Sequence, residues 1–268
     1  MWLDRARYGT YPPGSSFKVI TAAAALNAGL SATDTTFMCE RLPDGRVGTT
    51  LPRFGPIRDD VMDRHPHGRL NLSGALVVSC NAYFAQLGLR VGAEQLRETA
   101  TKAQLQVSRT PATDGADPLD RTLPFAAYGQ GEVLVSPLRM ARAIGAIATD
   151  GTIREAPVVS GGTPVASARE WIRPAYAALL RKPLRDVVTN GTGRVLKDLT
   201  PAIAGKTGTA EVNDARSHSW FVGYAPYENY GPRIAFAVVI ENGGYGGGAA
   251  ARLAGDLVEA ARKVGVIR

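Results

Sequence analysis

Ser15 and Lys18 lie three residues apart in Ser15-Ser16-Phe17-Lys18, between Tyr11-Pro12-Pro13-Gly14 and the apolar Val19-Ile20-Thr21-Ala22. A hydroxyl and an amine one helical turn apart share a face, so the amine can approach the hydroxyl. That pair supplies a nucleophile and a base. Ser79-Cys80-Asn81 and Lys206-Thr207-Gly208-Thr209 follow in the chain. Acyl transfer from an amide needs a nucleophile, a base, a proton relay to the leaving amine and donors for the oxyanion. These residues can fill all four roles.

Ser15 opens a helix, so its backbone N–H is free to face incoming negative charge. Burial and a second cation would lower the pKa of Lys18 and free a neutral amine near pH 7; Lys206 is the expected second cation. Ser79 and Asn81, two apart in an extended loop, project to the same side, a hydroxyl to relay a proton beside an amide to hold substrate backbone. Lys206 and Gly208 share one face of a strand, Thr207 and Thr209 the other. The two hydroxyls could hold a carboxylate, Gly208 leaves room for another backbone, and the Thr209 N–H could complete an oxyanion hole with that of Ser15. Each motif has an ordinary alternative: helix caps for Ser15, Ser79 and Asn81, a solvated helix position for Lys18, and an edge strand for 206–209. S-x-x-K alone recurs by chance roughly once in a chain this long. Three motifs, each present once and in this order, outweigh those alternatives.

The elements that must position them read as follows. Residues 16–29 form a helix after the Pro12-Pro13-Gly14 turn, with Gly29 to end it. Residues 34–68, rich in Pro, Gly, Asp and Arg, read as an irregular excursion. Helices follow near 70–78, from Ala82 with Gly88 near its end, and over 93–104; 108–125 reads as loop. Ser136 caps a helix with Pro137 at its first position. Residues 168–189 are mostly helical, broken at Pro174 and Pro183. Ala202–Val212, Ser217–Ala225 and Arg233–Glu241 read as strands, and Ala249–Val264 as an amphipathic helix. The order implies an α+β fold, an antiparallel sheet packed against helices.

The chain has 268 residues, 45% of them hydrophobic, enough for one domain with a sizeable core. No apolar run reaches the roughly 18 residues that span a bilayer, and no signal peptide opens the chain. A net charge of +7 would suit an anionic polymer or surface, but the reading favours a mildly basic surface with no specific partner. The basic residues form no stripe and no aromatic-basic motif, which argues against nucleic acid. Only 6 of the 31 basic residues are Lys, and two of these stand in the motifs. Arg cannot serve as a base, whereas a desolvated Lys can. Cys39 and Cys80 could pair in an oxidising compartment, but the reading favours two small buried thiols. His65-Pro66-His67 with Asp63 reads as a loop rather than a metal set, and Gly243-Gly244-Tyr245-Gly246-Gly247-Gly248, lacking G-K-[ST], as a flexible connector.

Taken together, the three motifs are the signature of serine penicillin-recognising enzymes. The chain resembles the transpeptidase domain of penicillin-binding proteins, most like the class B type. Further similar residues are Tyr11-Pro12-Pro13-Gly14, His67-Gly68-Arg69-Leu70-Asn71, Gly129-Gln130-Gly131 followed by Ser136-Pro137-Leu138, Gly191-Thr192-Gly193, and Ser219-Trp220 through Ala225-Pro226. The resemblance covers nearly the whole chain. It implies the penicilloyl-transferase (β-lactamase/transpeptidase-like) fold, with a helical subdomain over about 34–200. It also implies D,D-transpeptidase chemistry: Ser15 attacks the penultimate D-Ala carbonyl of a stem peptide, releases terminal D-Ala and passes the acyl group to an amine of a neighbouring stem peptide. β-Lactams would acylate the same serine. Lys18, Ser79 and Lys206 become catalytic; Asn81, Thr207, Gly208 and Thr209 bind substrate. No cofactor or metal is expected. A membrane glycan polymerase is the expected partner, and the extracytoplasmic face of a bacterial membrane the expected location.

Two other activities are open. A serine β-lactamase or D,D-carboxypeptidase would share the motifs, but the Glu-x-x-Leu-Asn segment of class A hydrolases is missing between Asn81 and Lys206. A non-catalytic penicillin-binding sensor or scaffold would bind without turnover. In the family, sheet strands precede the nucleophile, whereas 14 residues precede Ser15 here. The expectation is therefore a fragment, a truncated reading frame or half of a split protein, lacking N-terminal strands.

Overall fold

The computed structural model describes residues 3–107, 118–155, 168–213, 215–228 and 231–268. A short helix, α1 (Arg5–Tyr8), leads to a 3-10 turn at Gly14–Phe17 and then α2 (Lys18–Asn27). Ser15 thus sits in a tight turn that feeds the helix. Every residue of α2 from Lys18 to Leu26 is buried, which makes α2 the central helix of the domain.

The stretch read as irregular is a four-stranded antiparallel sheet. Its strands β1 (Phe37–Arg41), β2 (Val47–Leu51), β3 (Gly55–Arg58) and β4 (Gly68–Leu70) stand in the order β3-β2-β1-β4. Strands this short, set between turn residues, carry too little alternation to stand out. They pair because the local chain closes on itself and on α4.

Helices α3 (Leu72–Val78), α4 (Asn81–Val91) and α5 (Ala93–Lys102) follow. The expected loop is helical from Pro118, as α6 (Pro118–Ala127); 108–117 lies outside the described residues. Helix α7 (Pro137–Ala148) starts as read, with the Ser136 hydroxyl accepting from the Arg139 N–H and Pro137 at its first position. A hairpin of β5 (Thr152–Arg154) and β6 (Ala168–Glu170) comes next. The two prolines expected to break the following helix do not. Pro174 starts α8 (Pro174–Thr189), where its missing N–H is harmless, and Pro183 lies buried inside it.

The three C-terminal strands match their expected positions: β7 (Ala204–Ala210), β8 (His218–Ala225) and β9 (Ile234–Ile240), closed by α9 (Ala249–Lys263). They form an antiparallel sheet in sequence order, with Lys206 opposite Val222 and Gly208 opposite Trp220. Strand β8 is buried on both faces. Trp220, Val222 and Tyr224 join the core with α2, α7 and α8, whereas Phe221 and Ala225 pack with Phe236, Ala250, Ala254 and Val258 under α9. The fold is α+β, as expected. Among the described residues, no helix is long and apolar enough to cross a membrane.

Candidate active site

Ser15 is held from three sides. The Tyr11 and Val135 backbones exchange hydrogen bonds at 2.9 Å, the Trp220 indole N–H donates to the Pro12 carbonyl at 3.0 Å, and the Gly14 N–H donates to the Gly129 carbonyl at 3.0 Å. Gly129 lies at φ +88, and a Cβ there would stand 1.9 Å from the Gly14 oxygen. Gly14, at φ +52, backs in turn on the Thr209 carbonyl, 2.3 Å from where its own Cβ would be. The Gly129-Gln130-Gly131 segment thus lets the α6–α7 connection touch the nucleophile turn directly.

The Lys18 amine lies 3.0 Å from the Ser15 hydroxyl, 2.7 Å from Asn81 Oδ1 and 3.2 Å from Ser79 Oγ, and also donates to the Ser79 carbonyl. The Lys206 amine donates to Ser79 Oγ at 2.8 Å. Ser79 Oγ therefore stands between the two amines. Ser79 and Asn81 converge as expected, though not from an extended loop. Ser79 links α3 to α4 in the left-handed region at φ +61, and Asn81 opens α4. Cys80, between them, donates its thiol to Asp59.

Thr207, Gly208 and Thr209 border this group on β7. Gly208 backs against the nucleophile turn, where a Cβ would meet the Pro13 oxygen at 2.8 Å and the Ser16 nitrogen at 2.9 Å. The Thr207 hydroxyl lies 2.5 Å from that of Thr192, and Thr209 Oγ1 accepts from the Gly246 N–H at 3.0 Å. The glycine-rich run is thus a packed turn over β7: the Gly244 N–H donates to the Ser217 carbonyl, and Gly246 rests on the Gly208 backbone.

Both lysines are completely buried. Burial lowers Lys18 to about 8, and the nearby Asp59 carboxylate opposes the fall. Burial, aided by the charge of Lys18, pushes Lys206 well below its ordinary value. The charges of the two amines disfavour one another, and a buried anion holds Lys18 up. Two amines that share Ser79 Oγ without both holding a full charge near neutral pH provide an acceptor and a path for a proton.

Asp59, just after β3, is the residue the sequence reading missed. It is 3% exposed, and Oδ1 accepts from the backbone N–H groups of Asn81 and, at 3.2 Å, Ala82. Its Oδ2 accepts from the thiols of Cys39 at 3.1 Å and Cys80 at 3.2 Å, and lies 3.4 Å from His67 Nδ1. Nothing in the spacing of an Asp- and Arg-rich stretch distinguishes it.

Cys39, Asp59, His67 and Cys80 offer donor atoms that all lie within 4.8 Å of one another, and they are the one such group among the described residues. Two sulfurs, an imidazole and a carboxylate form a set that suits Zn²⁺. His67 Nε2 lies 3.5 Å from Asp63, as the outer nitrogen of a metal-bound imidazole usually faces a carboxylate. Burial works against a charge on His67, but its bonds to Asp59 and Asp63 prevail and hold it at about 11. A proton on His67 and a bound cation are alternative ways to balance Asp59. The loop reading of 63–67 was right for the backbone and missed its partners, which come from β1 and the α3–α4 link.

The family signature of the penicillin binding protein transpeptidase domain matches residues 1–259. The peptidoglycan D,D-transpeptidase PbpA of Mycobacterium tuberculosis is 33% identical over 287 residues, covering 96% of this chain and 56% of that protein. The structure of penicillin-binding protein A from M. tuberculosis, a penicillin G acyl-enzyme complex, superposes with a TM-score of 0.75 at 30% identity, over 97% of this chain and 63% of that one. A chain from a peptidoglycan synthase complex that coordinates polymerization and crosslinking gives a TM-score of 0.75 at 26% identity, over 97% and 47%. The chain spans about half the length of the curated relative. On the match of residues 1–259 and the likeness of sequence and fold, this chain belongs to the penicillin-binding protein transpeptidase family.

Proposed function

We propose that this chain is the transpeptidase part of a class B peptidoglycan synthase, cross-linking stem peptides through an acyl-enzyme on Ser15. The observation that carries the reading is the Lys18 amine 3.0 Å from Ser15 Oγ, with Ser79 Oγ shared between Lys18 and Lys206. Neutral Lys18 takes the Ser15 proton as the hydroxyl attacks the penultimate D-Ala carbonyl. Ser79, recharged through Lys206, returns a proton to the departing D-Ala amine. The N–H groups of Ser15 and Thr209 face the developing oxyanion, and Asn81, Thr207 and Thr209 align the substrate around Gly208. An amine of a neighbouring stem peptide then takes the acyl group by the reverse of these steps. β-Lactams acylate the same serine, a reading supported by the penicillin G acyl-enzyme complex of the mycobacterial relative. The relatives' role in building peptidoglycan supports work outside the cytoplasm, which we assign to the extracytoplasmic face of the membrane, beside a glycan polymerase such as the one the synthase-complex relative implies.

The test is the intact mass of the purified chain after incubation with benzylpenicillin, beside Ser15→Ala. A persistent adduct on the wild type alone is expected. Penicillin consumed without an adduct would make the chain a hydrolase. No adduct and no consumption would sink the catalytic reading for this chain.

A further inference from the structure

A basic cleft lies between α1, the end of α5 and the start of α7. It has two adjoining lobes, of about 250 and 410 Å³, that share Gln104 and Arg139. Together they have the size of a small-ligand site. Arg7 and Arg142 line the first lobe and Arg97 the second, so three helices bring four arginines to one place. Glu155 is the one acidic side chain in the lining, and it is already answered. Arg142 Nη1 lies 2.8 Å from one of its oxygens, and Gln104 Nε2 donates to the other at 2.9 Å. Arg142 Nε is buried without a hydrogen-bond partner, so Glu155 does not use up that guanidinium. Among the described residues, the guanidiniums of Arg7 and Arg139 have no ion-pair partner.

We propose that this cleft is a second ligand site, for a phosphorylated saccharide, with the phosphate on Arg7 and Arg139 and the sugar ring on Tyr8. A phosphate carries up to two charges on three acceptor oxygens, so it matches more than one guanidinium fork, whereas a single fork satisfies a carboxylate. The buried Leu105 and Val107 back the second lobe, and their low dielectric strengthens the hold of Arg139 on an anion. Tyr8 lines the first lobe and is 62% exposed, with the Arg7 guanidinium 5.8 Å from its ring centroid. Such a ring offers its face to the apolar face of a sugar and its hydroxyl to a sugar hydroxyl.

The saccharide half of the assignment rests on the function proposed above, in which the reacting peptides are carried on glycan. The phosphate half stands on the arginines alone. One backbone segment ties the cleft to the nucleophile turn: Leu134 pairs with Gln106 of the second lobe, and Val135 with Tyr11, just before the turn of Ser15. A glycan held in the cleft therefore lies against the same backbone that positions the nucleophile.

The test is calorimetric titration of the full chain, at low ionic strength, with α-D-glucose 1-phosphate, glucose, inorganic phosphate and glutarate. Saturable binding of glucose 1-phosphate is expected, tighter than that of inorganic phosphate, with none for glucose. Arg7→Ala and Arg139→Ala should each weaken it by about tenfold, the loss of one charge-assisted contact. Tyr8→Ala should weaken glucose 1-phosphate by about threefold and leave inorganic phosphate unchanged. Arg262→Ala, at the end of α9, should leave both as they are. Helix α1 has no buried residue and Arg139 is exposed, so these truncations keep the fold, which thermal unfolding checks. No binding of glucose 1-phosphate overturns the proposal, as does inorganic phosphate or glutarate binding equally well, or binding that survives both arginine truncations. Binding to phosphatidylglycerol vesicles but not to glucose 1-phosphate also overturns it and makes the arginines a membrane contact. None of these readouts uses acylation, so a chain that does not react with benzylpenicillin loses the proposed function while the titration still decides the cleft.

Discussion

The two flanks of Ser79 hold it by different means. On the strand flank, Lys206 reaches Ser79 Oγ from β7, whose place is set by a seven-residue antiparallel ladder with β8. On the excursion flank, Asp59 lies just beyond a four-residue strand and holds the α4 start through one buried carboxylate. A ladder spreads its hold over many backbone bonds, so no one side chain determines its position. A buried anion concentrates it. Removing either partner of a buried charged pair leaves the other uncompensated, so the excursion flank is the more fragile.

The largest expected effect lies where the flanks meet. Lys18→Ala removes the proposed base, which both sides position, and benzylpenicillin acylation should fall by about 10²–10⁴-fold, read by stopped-time mass spectrometry. A loss below tenfold would give the base role to Lys206 and the strand flank alone. Asp59→Ala should come next, with about 100-fold slower acylation and a loss of roughly 3–5 kcal/mol in chemical denaturation. If the rate drops while stability holds, the excursion flank is no more than an electrostatic neighbour of Lys18.

The pH profile of acylation sharpens the same comparison. Lys18 is lowered from 10.5 to about 8, and the proposed base is the neutral amine. Below that value the neutral fraction falls with pH, so the rate should rise about tenfold per unit from pH 6 and level off above about 8. Asp59 favours the charged amine, so Asp59→Asn should move the plateau to lower pH. A plateau that stays in place would mean that the carboxylate does not reach Lys18 electrostatically. On the strand flank, Gly208→Ala drives a methyl against Pro13 and Ser16, and should cost about 1–3 kcal/mol, with acylation slowed less than in Asp59→Ala. The smallest effect should come from Lys182→Ala, far from both flanks. It breaks a single exposed pair with Asp186 and should leave both the denaturation midpoint and the acylation rate unchanged.

The strand flank was legible because β7, β8 and β9 are runs of seven or eight residues with turn residues at their ends. Ser15, Lys18, Ser79, Asn81 and Lys206 were legible as motifs, since each needs fixed local spacing. The excursion was not. Three- to five-residue strands bounded by Gly and Pro give no period to read, and Pro183 inside α8 shows the opposite error, a breaker overridden by tertiary packing. Cys39, Asp59, His67 and Cys80 come from four separate stretches, and no spacing among them is regular.

By itself the sequence determined which groups the proposed chemistry uses and in what order they come, because helical turn spacing and strand geometry act over a few residues. Only the tertiary structure decided that Asp59 anchors the second motif, that a buried carboxylate opposes the fall of the Lys18 pKa, and that the two cysteines stand side by side. Burial and Coulomb interaction depend on distance in space, which residues far apart in the chain acquire only when the core closes around them.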